Sequence, residues 1–216
     1  MPCIVAIALV VAVASSGNAS AARSLAGDVF VVDPGHGTRY PDGSPLNVGA
    51  VGPGGLQEQT VVLDVGEDLA ARLRAAGARV VLTRSRAEPF RTATDKRRDN
   101  RDRAALANRL GATAFVAIHA DSSLDASAHG TSVFWLRPNS KRLADAARRA
   151  LLSMGLGESA FYRRDLAVTN EARVPAVLVE LGFVSNAHEA ALLAMPVFRS
   201  REAGVLFDAI SEVFGR

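Results

Sequence analysis

Short, uninterrupted apolar runs alternate along this chain with longer segments whose apolar positions recur at helical spacing. Residues 29–33 (VFVVD), 79–83 (RVVLT), 114–118 (AFVAI), 131–136 (TSVFWL) and 175–179 (PAVLV) read as strands. Between the first two, Val61, Val65, Leu69 and Leu73 form an i, i+4 stripe over residues 58–76, closed by Gly77. A second helix runs through 104–110 to Gly111, a third covers 140–154, and two more, 187–193 and 198–214, follow the last strand. Strands apolar at nearly every position are buried on both faces. The alternation therefore predicts an α/β single domain with a mainly parallel sheet and helices on both faces. One stretch fits neither period: residues 37–55 (GTRYPDGSPLNVGAVGPGG) form a long Gly- and Pro-rich loop, and loops of that length in compact domains are usually functional.

The first residues break the pattern. Residues 3–14 (CIVAIALVVAVA) are apolar throughout, shorter than the ~20 residues that span a bilayer but matching the apolar region of an export signal. Ala19-Ser20-Ala21 supplies a small-x-small cleavage candidate, although no Lys or Arg precedes the run. A buried N-terminal helix or an uncleaved anchor is the alternative. We therefore expect a signal peptide over 1–21, a short segment over 22–27, one domain over 28–216, an exported product, and no membrane insertion after cleavage.

Composition adds limits. With 49% hydrophobic and 22% charged residues, the chain is neither disordered nor low in complexity. Its net charge of +3 is too mild to argue for nucleic-acid binding, and the Arg97–Asp102 region interleaves acids with its arginines. The single cysteine, Cys3, lies ahead of the apolar run, so the mature chain would hold none. A metal site would have to come from His, Asp and Glu.

The candidate chemistry sits at the strand ends, where open α/β sheets bind ligands. The first strand leads into Asp-Pro-Gly-His-Gly and delivers His36; the third delivers His119; the last delivers Glu180. Glu58 opens the first helix. Each has an ordinary structural explanation: a core histidine, a salt-bridge partner, a carboxylate favoured by the helix dipole. Their common location argues for a shared task. His36, Glu58 and His119 make an N, O, N set that suits one Zn2+ and leaves a fourth position for water. Glu180 is then the candidate general base, its pKa raised by burial. Asp33 is expected to hold His36 or its loop. His129 and His188 read as surface residues.

At these residues the sequence resembles the zinc-dependent N-acetylmuramoyl-L-alanine amidases of the amidase 3 family. The stretches that carry the resemblance are Val32 to Gly37, Gly49-Ala50, Gly55 to Glu58, Leu82 to Arg84, Arg103 with Ala107-Asn108, Ile118 to Asp121, Gly130 to Phe134, and Val179 to Asn186. The resemblance implies zinc on His36, Glu58 and His119, catalysis by Glu180, and a sheet of about six strands. It also implies a substrate: the amide joining the lactyl group of N-acetylmuramic acid to L-Ala of the stem peptide. Arg84, Arg103 and Asn186, with Asp33, are candidates to contact substrate or stand behind the ligands. The expected partner is peptidoglycan or its muropeptide fragments, with the protein a monomer in a periplasmic, wall-associated or secreted location. The alternatives are a zinc carboxypeptidase or endopeptidase acting within the stem peptide, and a non-catalytic wall-binding module. Between the fourth strand and Glu180 the pattern predicts a single helix, with no extra helix to block the site.

Overall fold

The computed structural model describes residues 24–216; the apolar leader and its cleavage candidate lie outside the described residues. The chain begins with β1 (Val29–Pro34), β2 (Thr38–Arg39), β3 (Pro45–Asn47), α1 (Glu58–Ala75) and β4 (Arg79–Leu82). It continues through β5 (Arg91–Thr92), α2 (Lys96–Arg109), β6 (Ala114–Asp121), β7 (Thr131–Trp135) and α3 (Lys141–Leu152). It closes with β8 (Glu158–Arg163), α4 (Ala167–Glu171), β9 (Ala176–Phe183), α5 (Ala187–Leu193) and α6 (Pro196–Phe214). Six strands form one sheet in the order β4-β1-β6-β9-β7-β8. Four of them run parallel; β7 lies antiparallel to β9, and β8 follows β7.

The continuous apolar runs have the expected cause. Phe30 and Val32 of β1, with Val116 and Ile118 of β6, face a core completed by α1, α3 and α6. Val31, Phe115 and Ala117 point the other way, onto Ala104 and Ala107 of α2 and Val168 of α4. Both of these central strands are covered on both faces, so neither face carries polar alternation. No helix among the described residues is long and apolar enough to cross a membrane.

Three features depart from the sequence reading. The sixth strand, β8, is an edge strand with the mixed sequence ESAFYR and mostly exposed residues, so no apolar run marks it. The long 37–55 loop contributes β2 and β3 to a second, three-stranded sheet completed by β5. Finally, two helices rather than one lie between β7 and Glu180. The second, α4, has five residues and buries Val168 and Thr169 while packing on α2 and β9.

One core residue stands out as a cost. Glu202 of α6 is fully buried, and neither of its carboxyl oxygens has a hydrogen-bond partner. Burial raises its pKa well above the ordinary range, repulsion from Glu189 adds to this, and Arg199 opposes it. A carboxyl whose folded pKa exceeds its unfolded value makes the protein lose stability as pH rises through and above ~4.3. Glu202→Leu should therefore raise stability at pH 7 by roughly 1–3 kcal/mol. The gain should shrink on acidification, as thermal melts at several pH values would show.

Candidate metal centre

The site grows from the end of β1, where the backbone is forced into an unusual shape. His36 has φ +62°, the one non-glycine residue among those described with positive φ. Such a conformation costs about 1–3 kcal/mol and persists only where neighbours hold it. Two buried arginines do so. Arg84 donates to the carbonyls of Pro34 (2.9 Å) and Gly35 (2.7 Å), and Arg103 donates to that of His36 (2.6 Å). Gly35 must lack a side chain, because a Cβ there would lie 2.4 Å from the His119 ring.

Glu58, the first residue of α1, reaches the same point from the opposite layer. Its Oε2 accepts from Ala50 N–H (2.9 Å) and its Oε1 from Ala120 N–H (3.2 Å), so it does more than favour a helix dipole. Gly49, at φ +78°, packs so closely that a Cβ would stand 2.7 Å from Glu58 Oε2 and 2.9 Å from the His36 ring. His119 arrives on β6. The resulting triangle is tight: His36 Nε2 to Glu58 Oε1 is 2.7 Å, His119 Nδ1 to Glu58 Oε1 is 3.2 Å, and the two imidazole nitrogens are 3.0 Å apart.

These donors fit a metal ion. A tetrahedral ion with ligand bonds of about 2.0–2.1 Å has donor–donor edges of roughly 3.3 Å, close to the observed triangle. Burial pushes the His119 imidazolium down and Glu58 opposes this less strongly, which favours the neutral ring a ligand must be. Burial also acts on Glu58, but hydrogen bonds from His119 and His36 outweigh it and hold the carboxyl ionised, well below its usual range.

The other predicted residues fall into clear positions. Glu180 pairs in register with His119 across the β6/β9 ladder, on the sheet face covered by α2 and α4. Burial raises its pKa well above the ordinary carboxylate value, and the charges of Asp121 and Glu58 add to this against a weaker pull from Arg164. Asp33 does not touch the His36 ring; it accepts from Arg103 (2.8 Å) and from Thr83 Oγ1 (2.5 Å), bearing on His36 only through the Arg103 guanidinium. Arg84 and Arg103 are buried beneath the loop: Arg84 donates to backbone carbonyls, and Arg103 to the His36 carbonyl and to Asp33, Asp99 and Thr38, so neither faces open space. Asn186 caps α5 and donates to the carbonyls of Ala126 and Ala128. His129 and His188 are exposed.

Sequence reasoning missed Asn47. Its Oδ1 accepts from His36 Nδ1 at 2.8 Å, which leaves Nε2 to face the triangle. The only signal was its place in the long loop.

An α/β domain that gathers two imidazoles and a carboxylate at the carboxyl ends of parallel strands defines a class: domains with a three-donor metal-type site at the sheet edge. A family model described as N-acetylmuramoyl-L-alanine amidase matches residues 30–212, and the chain belongs to that family. It is 31% identical over 192 residues to the N-acetylmuramoyl-L-alanine amidase LytC of Bacillus subtilis (strain 168), covering 84% of this chain and 34% of LytC. It is 32% identical over 206 residues to the uncharacterized protein YqiI of the same organism, covering 91% of this chain and 89% of YqiI. The chain thus spans about a third of LytC but most of YqiI. Among solved structures it resembles the catalytic domain of CwlV, an N-acetylmuramoyl-L-alanine amidase from Bacillus (Paenibacillus) polymyxa var. colistinus. The TM-score is 0.74 at 32% identity, covering 86% of this chain and 97% of that one.

Proposed function

We propose that this protein is an exported zinc-dependent amidase that hydrolyses the bond between the lactyl group of N-acetylmuramic acid and L-Ala of the peptidoglycan stem peptide. The observation that carries the reading is the donor triangle of His36, Glu58 and His119, with Glu180 beside it in register. Family membership supports the choice of bond. One Zn2+ held there would lower the pKa of a bound water to ~7 and polarise the lactyl carbonyl. Glu180 accepts a proton from the attacking water on its carboxylate. It then delivers that proton to the L-Ala nitrogen as the C–N bond breaks. Asn47 holds the His36 ring in the tautomer that presents Nε2, while Arg84 and Arg103 keep the loop in shape.

Asn47→Ala should weaken metal binding by about 10- to 100-fold with little change in melting temperature, measured by competition with a chromogenic chelator. The enzyme needs no activating partner in this reading. The segments between β7 and β9 pack into the domain, α3 against α6 and α4 against α2, leaving neither as a free plug.

The deciding experiment is a digest of purified muropeptides by the isolated protein, with and without a chelator, read by mass spectrometry. Free stem peptides beginning at L-Ala, lost on chelation and restored by zinc, are the expected result. Products cut within the stem peptide would replace this reading with a peptidase. No cleavage in the presence of zinc would leave a binding module.

A further inference from the structure

Two buried polar atoms near the site have no hydrogen-bond partner: Oε2 of Glu180 and Oγ of Ser132. They belong to directly opposed residues. On the antiparallel β7/β9 ladder Ser132 pairs with Glu180, two residues along from the pair Phe134 and Leu178. Opposed residues place their side chains on the same face, with Cβ atoms about 4.5–5.5 Å apart. Phe134 and Leu178 share the core on the α2 and α4 side, so Ser132 and Glu180 face that side too. Since His119 pairs with Glu180 from the other flank, the row across three strands reads His119, Glu180, Ser132.

Ser132 is an odd residue for this place. It is 1% exposed, its neighbours Val133 and Phe134 are buried and apolar, and a lone buried hydroxyl lowers stability relative to a methyl group. A hydroxyl rotor, however, selects among three staggered wells at small cost, and its reach from Cβ suits a carboxylate on the opposed residue. We propose that Ser132 is a positioning residue whose hydroxyl donates to Oε2 of Glu180 during turnover, fixing the carboxylate so that its other oxygen meets the reacting water and amide nitrogen. This rests on the reading of Glu180 as the general base. The two orphaned oxygens then complete one another, and the cost carried by the resting protein is recovered in the working geometry. Small losses of alignment in a reacting group cost up to about 10²-fold in rate, which sets the scale of the effect.

The test uses the full zinc-loaded protein in four forms: wild type, Ser132→Ala, Glu180→Gln and the double variant. Zinc content and melting temperature are measured alongside kcat and KM on a muropeptide. Ser132→Ala is expected to lower kcat by about tenfold or more with KM nearly unchanged. Its zinc content should be full and its melting temperature equal to or above wild type. In the Glu180→Gln background the same change should cost nothing further. A Ser132→Ala protein with wild-type kcat beside an inactive Glu180→Gln protein overturns this inference alone. So does a lowered melting temperature, which would mark a structural role, or losses that multiply in the double variant. A fully active Glu180→Gln protein would instead remove the general-base reading itself, and this inference with it.

Discussion

Glu180→Gln is expected to reduce kcat by about 10²–10⁴-fold while leaving metal content and fold intact. The substitution keeps the shape of the side chain and removes its ability to accept and return a proton. A carboxylate serving both steps has to be poised between its two states, and the surroundings of Glu180 tend that way. Burial raises its pKa, Asp121 and Glu58 raise it further, and no side chain or backbone group among the described residues hydrogen-bonds its buried Oε2. Glu180 also stands outside the donor triangle, so its loss should leave the site able to load. Steady-state release of stem peptide, with metal measured on the same sample, checks both halves. A variant that loses its metal along with its activity would show Glu180 to be a ligand.

The largest effect on stability is expected from Arg103. Its side chain is 1% exposed and bonds five partners: Asp33 at 2.8 Å, Asp99 at 2.9 Å, Thr38 Oγ1 at 2.9 Å, and the carbonyls of His36 at 2.6 Å and Pro34 at 3.2 Å. Arg103→Met would keep much of the volume but leave buried Asp33 with Thr83 as its remaining partner, and Asp99 with Arg91 and Thr38. Breaking a buried ion pair from one side costs about 3–5 kcal/mol. The pH dependence supplies a second check. Burial alone would raise both carboxyls, but the Arg103 charge and the hydrogen bonds to Arg103, Thr83, Thr38 and Arg91 outweigh it and hold Asp33 and Asp99 below their ordinary values. A lowered folded pKa contributes stability that is complete above the unfolded value of ~3.9 and is lost as pH falls through the folded one. Without the arginine, burial dominates at Asp33 and the sign of its contribution reverses, while Asp99 keeps Arg91. The gap between wild type and Arg103→Met should therefore be widest near neutrality and narrow in acid, as urea melts at both ends would show. An equal gap at all pH values would mean that Arg103 acts by packing alone. Activity should fall as well, because the His36 loop loses its clamp.

Much of this was legible in the sequence, for reasons the structure makes plain. β1, β6 and β9 sit between two helical layers, so burial on both faces left unbroken apolar runs, and the polar residues that follow those runs were conspicuous. His36, His119 and Glu180 were visible for that reason, and Glu58 because it opens a well-marked helix. β8 left no such trace, since an edge strand tolerates Glu, Ser and Arg. The small β2-β3-β5 sheet has strands of two or three residues, too short to carry a period. Partners of the site residues were the least visible. The sequence suggested Asp33 for His36 or its loop; Asp33 serves the loop, through Arg103, whereas the ring itself is held by Asn47, eleven residues on. Ser132 read simply as a strand residue, and only the register of β7 against β9 brings it beside Glu180.

The donor triangle also has a consequence for how the molecule comes together. His36 and His119 are 83 residues apart in the chain and Glu58 and His119 are 61 apart, while Glu58 enters from the α1 layer and the loop around His36 is pinned from the α2 layer. A partly folded chain owns the three side chains but no pocket. An ion held by these three side chains would therefore tie together segments that only the folded sheet and its two helical layers bring to one point, and its uptake would report on folding as well as on the site.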